Sequence, residues 1–302
     1  MENTNISKEL MMAQEMELNL SDFAFFFSVA KNKEAYESML SIIMDNPELK
    51  LREVRAEEVV LNRVGKRAIR LDAWTVDDMD TQYNMEMQND SVHDDVRKRS
   101  RYYQGMLDTP ILKSGKKTRY KHLPSTVIIF ITQEDVFGKD RAKYTFSEQC
   151  EEIPGLRLND GTRKIFLNMS SKNGPDELVS LLQYMKDTRL DNPEVTVKDE
   201  RILKLASIVN EVKQSEEWEA VRMSILSVGL KRGEELGKEI GMIATRREDI
   251  LAFVSELGSV SDVVYEYVQA EKDGAVLKEW LRMAVKVQSV QEFEEYLKAY
   301  ER

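Results

Sequence analysis

The sequence predicts an α/β domain followed by an all-helical region, and three stretches carry that prediction. Between positions 66 and 76, Ile69, Leu71 and Ala73 alternate with Arg70, Asp72 and Trp74. Between 83 and 88, Tyr83, Met85 and Met87 alternate with Asn84, Glu86 and Gln88. A two-residue period is that of a strand with unlike faces. The run 125–132, STVIIFIT, is β-branched and apolar throughout, the pattern of a buried central strand. From about Asp199 onward, only helical spacings recur.

The other elements follow in order. Leu20-Ser21-Asp22 offers capping side chains ahead of Phe23, Phe25, Phe26 and Phe27, so a helix starts there. A second helix carries Tyr36, Leu40, Ile43 and Met44. It stops before Asn46-Pro47, because the residue preceding a proline avoids the helical region. Asp77-Asp78-Met79-Asp80 is a polar turn joining the two alternating strands into a hairpin. A helix over 94–106 bears Val96, Tyr102, Tyr103 and Met106. Short strands are expected near 144–146 and 164–168, the latter after the turn Asn159-Asp160-Gly161, and Pro175-Asp176-Glu177 opens a helix through Met185. The domains are set at 1–198 and 199–302. In the second, Gly229, Gly233, Gly237 and Gly241 recur every fourth residue, each costing about 1 kcal/mol of helix propensity relative to alanine. Either another helix approaches closely there, or this is a weak linker helix. Turns at Gly258-Ser259 and Asp273-Gly274 and a capping box over 289–292 mark a closing bundle of about three helices.

Composition excludes several kinds of chemistry. With two histidines and one cysteine, Cys150, among 302 residues, neither a Cys/His zinc cage nor an intramolecular disulfide can form. The glycine-rich phosphate loops of nucleotide-binding proteins are absent, as is a long apolar span, so a cytoplasmic protein without membrane contact is expected. The net charge of −10 argues against indiscriminate coating of nucleic acid. The charge is uneven, however. Between Arg97 and His122 nine Lys or Arg stand against the single acid Asp108, either a guide for phosphate or a solvated helix face.

The hairpin carries the candidate chemistry. If its turn spans 77–81, Val76 lies opposite Gln82, Trp74 opposite Asn84, Asp72 opposite Glu86 and Arg70 opposite Gln88. Cross-strand neighbours have Cβ atoms about 4.5–5.5 Å apart, where two carboxylates repel unless neutralised. A divalent cation would neutralise them, and so would Arg70 on an exposed face. Mg²⁺, which keeps water and substrate phosphate oxygens in its shell, would turn the pair towards phosphodiester hydrolysis.

Lys66–Asp72 followed by Tyr83-Asn-Met-Glu-Met-Gln88 resembles the D…E-x-Q signature of the PD-(D/E)XK nuclease family transposases, or recombination-promoting nucleases. Leu20-Ser-Asp-Phe23, Arg99 with Tyr102-Tyr103, Lys113-Ser-Gly115, the 158–168 segment and Glu177–Tyr184 extend the likeness over about 18–240. The resemblance implies a restriction-endonuclease-like α/β core with a mixed central sheet flanked by helices. It also implies Mg²⁺-dependent DNA cleavage, with Mn²⁺ as a substitute, and a link to recombination or mobile elements. Carried over by residue, Asp72 and Glu86 would be the metal-binding acids, Gln88 the residue in the lysine slot, and the Met87 main chain a further ligand. Asp22 is the candidate helix-borne acid, and equally an N-cap. An amide at Gln88 cannot bring the positive charge of a lysine, a role that falls in part to Lys66 or Arg70.

Arg97, Arg99, Arg101, Tyr103, Lys116 and Lys117 are the candidate DNA-binding residues, with core packing of Tyr103 and pairing of Arg99 to a nearby acid as the other reading. Three functions stay open: an active endonuclease, a degenerate nuclease fold that binds DNA or protein, and an assembly protein acting through its C-terminal helices. A homodimer would suit cutting both strands of a near-symmetric duplex.

Overall fold

The computed structural model describes residues 18–60, 69–88, 95–109, 111 and 119–300, with the backbone alone at 56–60 and 69–72. The chain divides into two compact units, Met1–Arg222 and Met223–Arg302.

In the first unit the helices α1 (Phe23–Ala30) and α2 (Lys33–Ile43) precede three strands, β1 (Leu51–Val60), β2 (Ile69–Asp77) and β3 (Gln82–Gln88). Helix α3 (Val96–Asp108) leads to β4 (Thr126–Thr132), β5 (Lys143–Phe146), β6 (Thr162–Asn168), α4 (Asp176–Lys186) and α5 (Glu200–Lys213). The six strands form one sheet in the order β1-β2-β3-β4-β6-β5. The β1–β2, β2–β3 and β5–β6 pairs are antiparallel, and β3–β4 and β4–β6 are parallel. The sheet is therefore mixed and flanked by helices, as expected.

Strand alternation sorts the described side chains of β2, β3, β4 and β6 between two cores. Ala73, Met85, Met87, Ile129, Ile131, Ile165 and Leu167 pack with α1, α2, α4 and α5. Ile128, Phe130 and Phe166 pack with Val96, Tyr103, Met106 and Leu107 of α3 on the other face. Helix α3 starts where the Asp95 side chain accepts from the N–H groups of Arg97 and Lys98, and α2 starts in the same way at Asn32. Helix α5 belongs to this core, since Ile202, Leu205, Ile208 and Val209 are buried in it together with Trp218. The first unit thus runs past the expected boundary at 198, because the apolar stripe of α5 is buried by the sheet's own helices.

The hairpin forms in the expected register, with Val76 paired to Gln82 and Trp74 to Asn84. Asp77 fixes its turn. Its Oδ1 accepts from the N–H groups of Met79 (2.9 Å) and Thr81 (2.8 Å), and its Oδ2 accepts from the Tyr83 hydroxyl at 2.9 Å. Burial, then the Asp77 contact, pushes the Tyr83 phenol well above its ordinary range. Strand β1 was not expected. Its Arg52, Glu53 and Arg55 are exposed, and an edge strand carrying charges lacks the apolar alternation that marks a half-buried one.

The second unit includes most of the long helix α6 (Glu216–Glu256), with α7 (Asp262–Ala270), α8 (Gly274–Ala284) and α9 (Val290–Tyr300). Its core comprises Ile250, Val254, Val264, Val268, Leu277, Trp280, Phe293 and Leu297, so the expected three-helix bundle closes on the end of α6. At Gly229, Gly233, Gly237 and Gly241 an added Cβ would meet nothing within 4 Å, so no close helix accounts for that row among the described residues. No described helix is long and apolar enough to cross a membrane.

Candidate active site

The site is assembled where β3, near the middle of the sheet, runs beside β4 under helix α3. Pairing Met85 to Ile129 and Gln88 to Thr132 sets the parallel register, and Met87 pairs with Ile131. Because side chains alternate along a strand, Asn84, Glu86 and Gln88 share the α3 face, while Met85 and Met87 enter the opposite core. On β2 the recorded hairpin pairing reaches Ala73 against Met85. Continued by one step beyond that pair, the register would set Asp72 opposite Glu86, as expected from the sequence. The Asp72 and Arg70 side chains lie outside the described residues, as do Lys66, Lys116 and Lys117.

Glu86 is 1% exposed, and both of its carboxylate oxygens are engaged. Asn84 Nδ2 donates to Oε1 at 2.9 Å, and Arg99 Nη2 donates to Oε2 at 3.2 Å. The other arm of the same guanidinium, Nη1, donates to Gln88 Oε1 at 2.7 Å. Arg99 Nε and Nη2 also donate to the Tyr103 hydroxyl, at 3.0 and 2.6 Å. The guanidinium carbon lies 5.0 Å from the Tyr103 ring centre and 5.6 Å from that of Phe130. Arg99 and Tyr103, four apart on one face of α3, thus bridge helix to strand, so a charged group is held against a buried acid.

Asn84 supplies a further clue. It is fully buried, and its Oδ1 has no hydrogen-bond partner among the described residues. The amide cannot be turned round to relieve this, because its oxygen would then face the Glu86 carboxylate. An unpartnered buried acceptor costs about 1–3 kcal/mol unless something donates to it or binds it. Carboxylate, amide and main-chain oxygens are the hard donors that suit a divalent cation such as Mg²⁺, so the residues present fit one. No group of three or more His, Cys, Asp or Glu able to hold a metal occurs among the described residues.

The other predicted site residues fall elsewhere. Asp22 precedes α1, whose Phe25 and Phe26 pack on the side of Met85 and Met87. Its Oδ2 accepts from the Asn19 N–H at 2.7 Å, and among the described residues no hydrogen bond joins it to Glu86. Arg97 Nε donates to Asp95 Oδ1 at 3.1 Å, whereas Arg101 is exposed. Trp74 is half-buried, with the Arg55 guanidinium 5.1 Å from its ring centre, which is packing at the hairpin. The bridging role of Arg99 was only one of two readings of the sequence. Phe130, buried beneath the guanidinium, gave no signal beyond that of a core strand.

A family model described as PD-(D/E)XK nuclease family transposase matches residues 19–225. The chain belongs to this family. The match spans the sheet, its flanking helices and α5, so the PD-(D/E)XK fold and the observed first unit coincide closely. No curated protein and no solved structure matches the chain. Membership supports a nuclease or transposase-like function acting on DNA, in a family that generally uses divalent metal ions.

Proposed function

We propose that the protein is a divalent-metal-dependent DNA endonuclease, with Mg²⁺ as its ion and Mn²⁺ as a substitute. The observation that carries this reading is the buried Glu86 carboxylate beside an Asn84 oxygen that has no partner among the described residues, on the strand that carries the family's E-x-Q. Glu86, Asp72 and the Met87 carbonyl would hold the ion. Bound there, it would supply a Lewis acid for the scissile phosphate and a lowered pKa for the attacking water.

The chain's own residues set the stage. Asn84 keeps the Glu86 carboxylate from rotating, and Tyr103 and Phe130 hold the Arg99 guanidinium in one plane. Arg101 on the exposed side of α3 is available to the DNA backbone. In the reaction one water is consumed for each bond cut. Its oxygen bonds to phosphorus, the bond to the leaving sugar oxygen breaks, and a proton from the water passes to that oxygen. The neutral amide of Gln88 favours a second reading, a fold that binds DNA without cutting it.

The test is nicking and linearisation of supercoiled plasmid with Mg²⁺, with Mn²⁺ and with chelator, run beside Asp72→Ala and Glu86→Ala. Metal-dependent cutting that falls by about 100-fold or more in both variants is expected. Folded protein that cuts under neither metal would replace this reading with the binding-only one.

A further inference from the structure

On the nuclease reading, one requirement of the chemistry has no supplier on β3. Charge accumulates on the phosphate oxygens as the attacking and leaving oxygens exchange, and a fixed cation near them stabilises it. A lysine two residues after the second acid would bring that cation, but Gln88 is neutral.

We propose that Arg99 supplies this positive charge from helix α3, and that Gln88 is glutamine because it must accept a hydrogen bond from Arg99. Three observations and the repulsion of like charges point the same way. The guanidinium reaches the strand with one arm on Gln88 Oε1 (2.7 Å) and the other on Glu86 Oε2 (3.2 Å), so its charge sits beside the Gln88 amide. A lysine in place of Gln88 would present a like charge there, so an amide at 88 and an arginine at 99 form a matched pair. Tyr103 and Phe130 fix the plane of the fork, which lowers the ordering cost of presenting it to a phosphate. Finally, the Arg99 side chain keeps 25% of its surface exposed while Glu86 keeps 1%, so the cation has an open side and the acid does not. A guanidinium also stays charged at any working pH.

Two roles that would look alike in a single substitution are separable. A residue that only binds DNA would raise KM and leave kcat alone. A residue that only holds Glu86 in place would weaken metal binding on removal. Removal of a charge donor to the reacting phosphate lowers kcat and does not weaken metal binding, because the guanidinium against Glu86 Oε2 would repel rather than attract a cation held by that carboxylate.

The experiment rests on the nuclease reading and compares full-length wild type with Arg99→Met, Gln88→Lys and the double variant. Cleavage is measured at saturating DNA, and Mn²⁺ affinity by titration calorimetry without DNA. Arg99→Met is expected to lower kcat about 100-fold while binding Mn²⁺ at least as tightly as wild type. The double variant, which returns a cation to β3, is expected to recover tenfold or more over Arg99→Met, as a structural role would not allow. Gln88→Lys alone sets two cations together and should be slower than wild type. If Arg99→Met does not fold, Arg99→Gln, neutral but still a hydrogen-bond donor, is held to the same kcat and affinity criteria. The inference is overturned if the folded, neutral variant cuts within threefold of wild type, if it binds Mn²⁺ more weakly, or if the double variant is no faster than Arg99→Met. A wild type that cuts under no metal would instead remove the nuclease reading, and this inference with it.

Discussion

Asn84→Asp is the smallest perturbation that tests how Glu86 is held. It is nearly isosteric, so it opens no cavity, but it replaces the Nδ2 donor that lies 2.9 Å from Glu86 Oε1 with an oxygen. Left ionised, two carboxylate oxygens about 3 Å apart repel by about 5–6 kcal/mol at an effective dielectric of about 20. Taking up a proton is cheaper. From an ordinary Asp value near 3.9 it costs about 4 kcal/mol at pH 7 and about 1.5 kcal/mol at pH 5, and it restores a donor to Oε1. The new carboxyl is therefore raised in the folded state above its unfolded value. The loss sets in above about pH 4, grows by about 1.4 kcal/mol per pH unit, and levels off above the folded pKa. A divalent cation held between the two acids binds only the folded form and should return about 2.7 kcal/mol at a hundred times its dissociation constant. The assay is stability read from hydrogen exchange of the β3 and β4 amides at pH 5 and pH 7, with and without Mn²⁺. An equal loss at the two pH values would show that packing, not charge, sets the Asn84–Glu86 contact. No loss at pH 7 would refute the argument outright.

Two further outcomes follow from exposed surfaces. Arg101→Ala should weaken DNA binding alike across sequences and reduce the salt dependence of the affinity by about 0.9 in slope, as for one lost phosphate contact. An unchanged slope in a binding titration from 50 to 200 mM salt would take Arg101 off the DNA-facing surface. Gly233→Ala should stabilise the second unit by up to about 1 kcal/mol, since a Cβ there meets nothing within 4 Å among the described residues. A loss of stability in thermal unfolding would mean that this face is covered in the working assembly.

Much of the site's scaffold was legible because it is local. The period of two in 83–88 marked which residues of β3 share a face, and the spacing of the acidic turn set the register that places Trp74 against Asn84. Helix α3 announced itself through its apolar spacing, and the buried strand β4 through its β-branched, apolar run. The charged edge strand β1 gave no such signal. Nor did the end of the first unit at 222, because whether an amphipathic helix such as α5 joins one core or another depends on which surface receives it.

The sequence by itself determined the α/β architecture, the hairpin face bearing Asn84, Glu86 and Gln88, and the family that the E-x-Q pattern marks. Only the tertiary structure decided that Arg99 turns inward to Glu86 and Gln88, that Phe130 lies beneath it, and that Asn84 keeps an oxygen with no partner among the described residues. Periodicity reports which face of its own element a side chain occupies. What that face meets is set by the packing of α3 across β3 and β4, thirteen residues along the chain from Glu86 to Arg99 and farther still to Phe130.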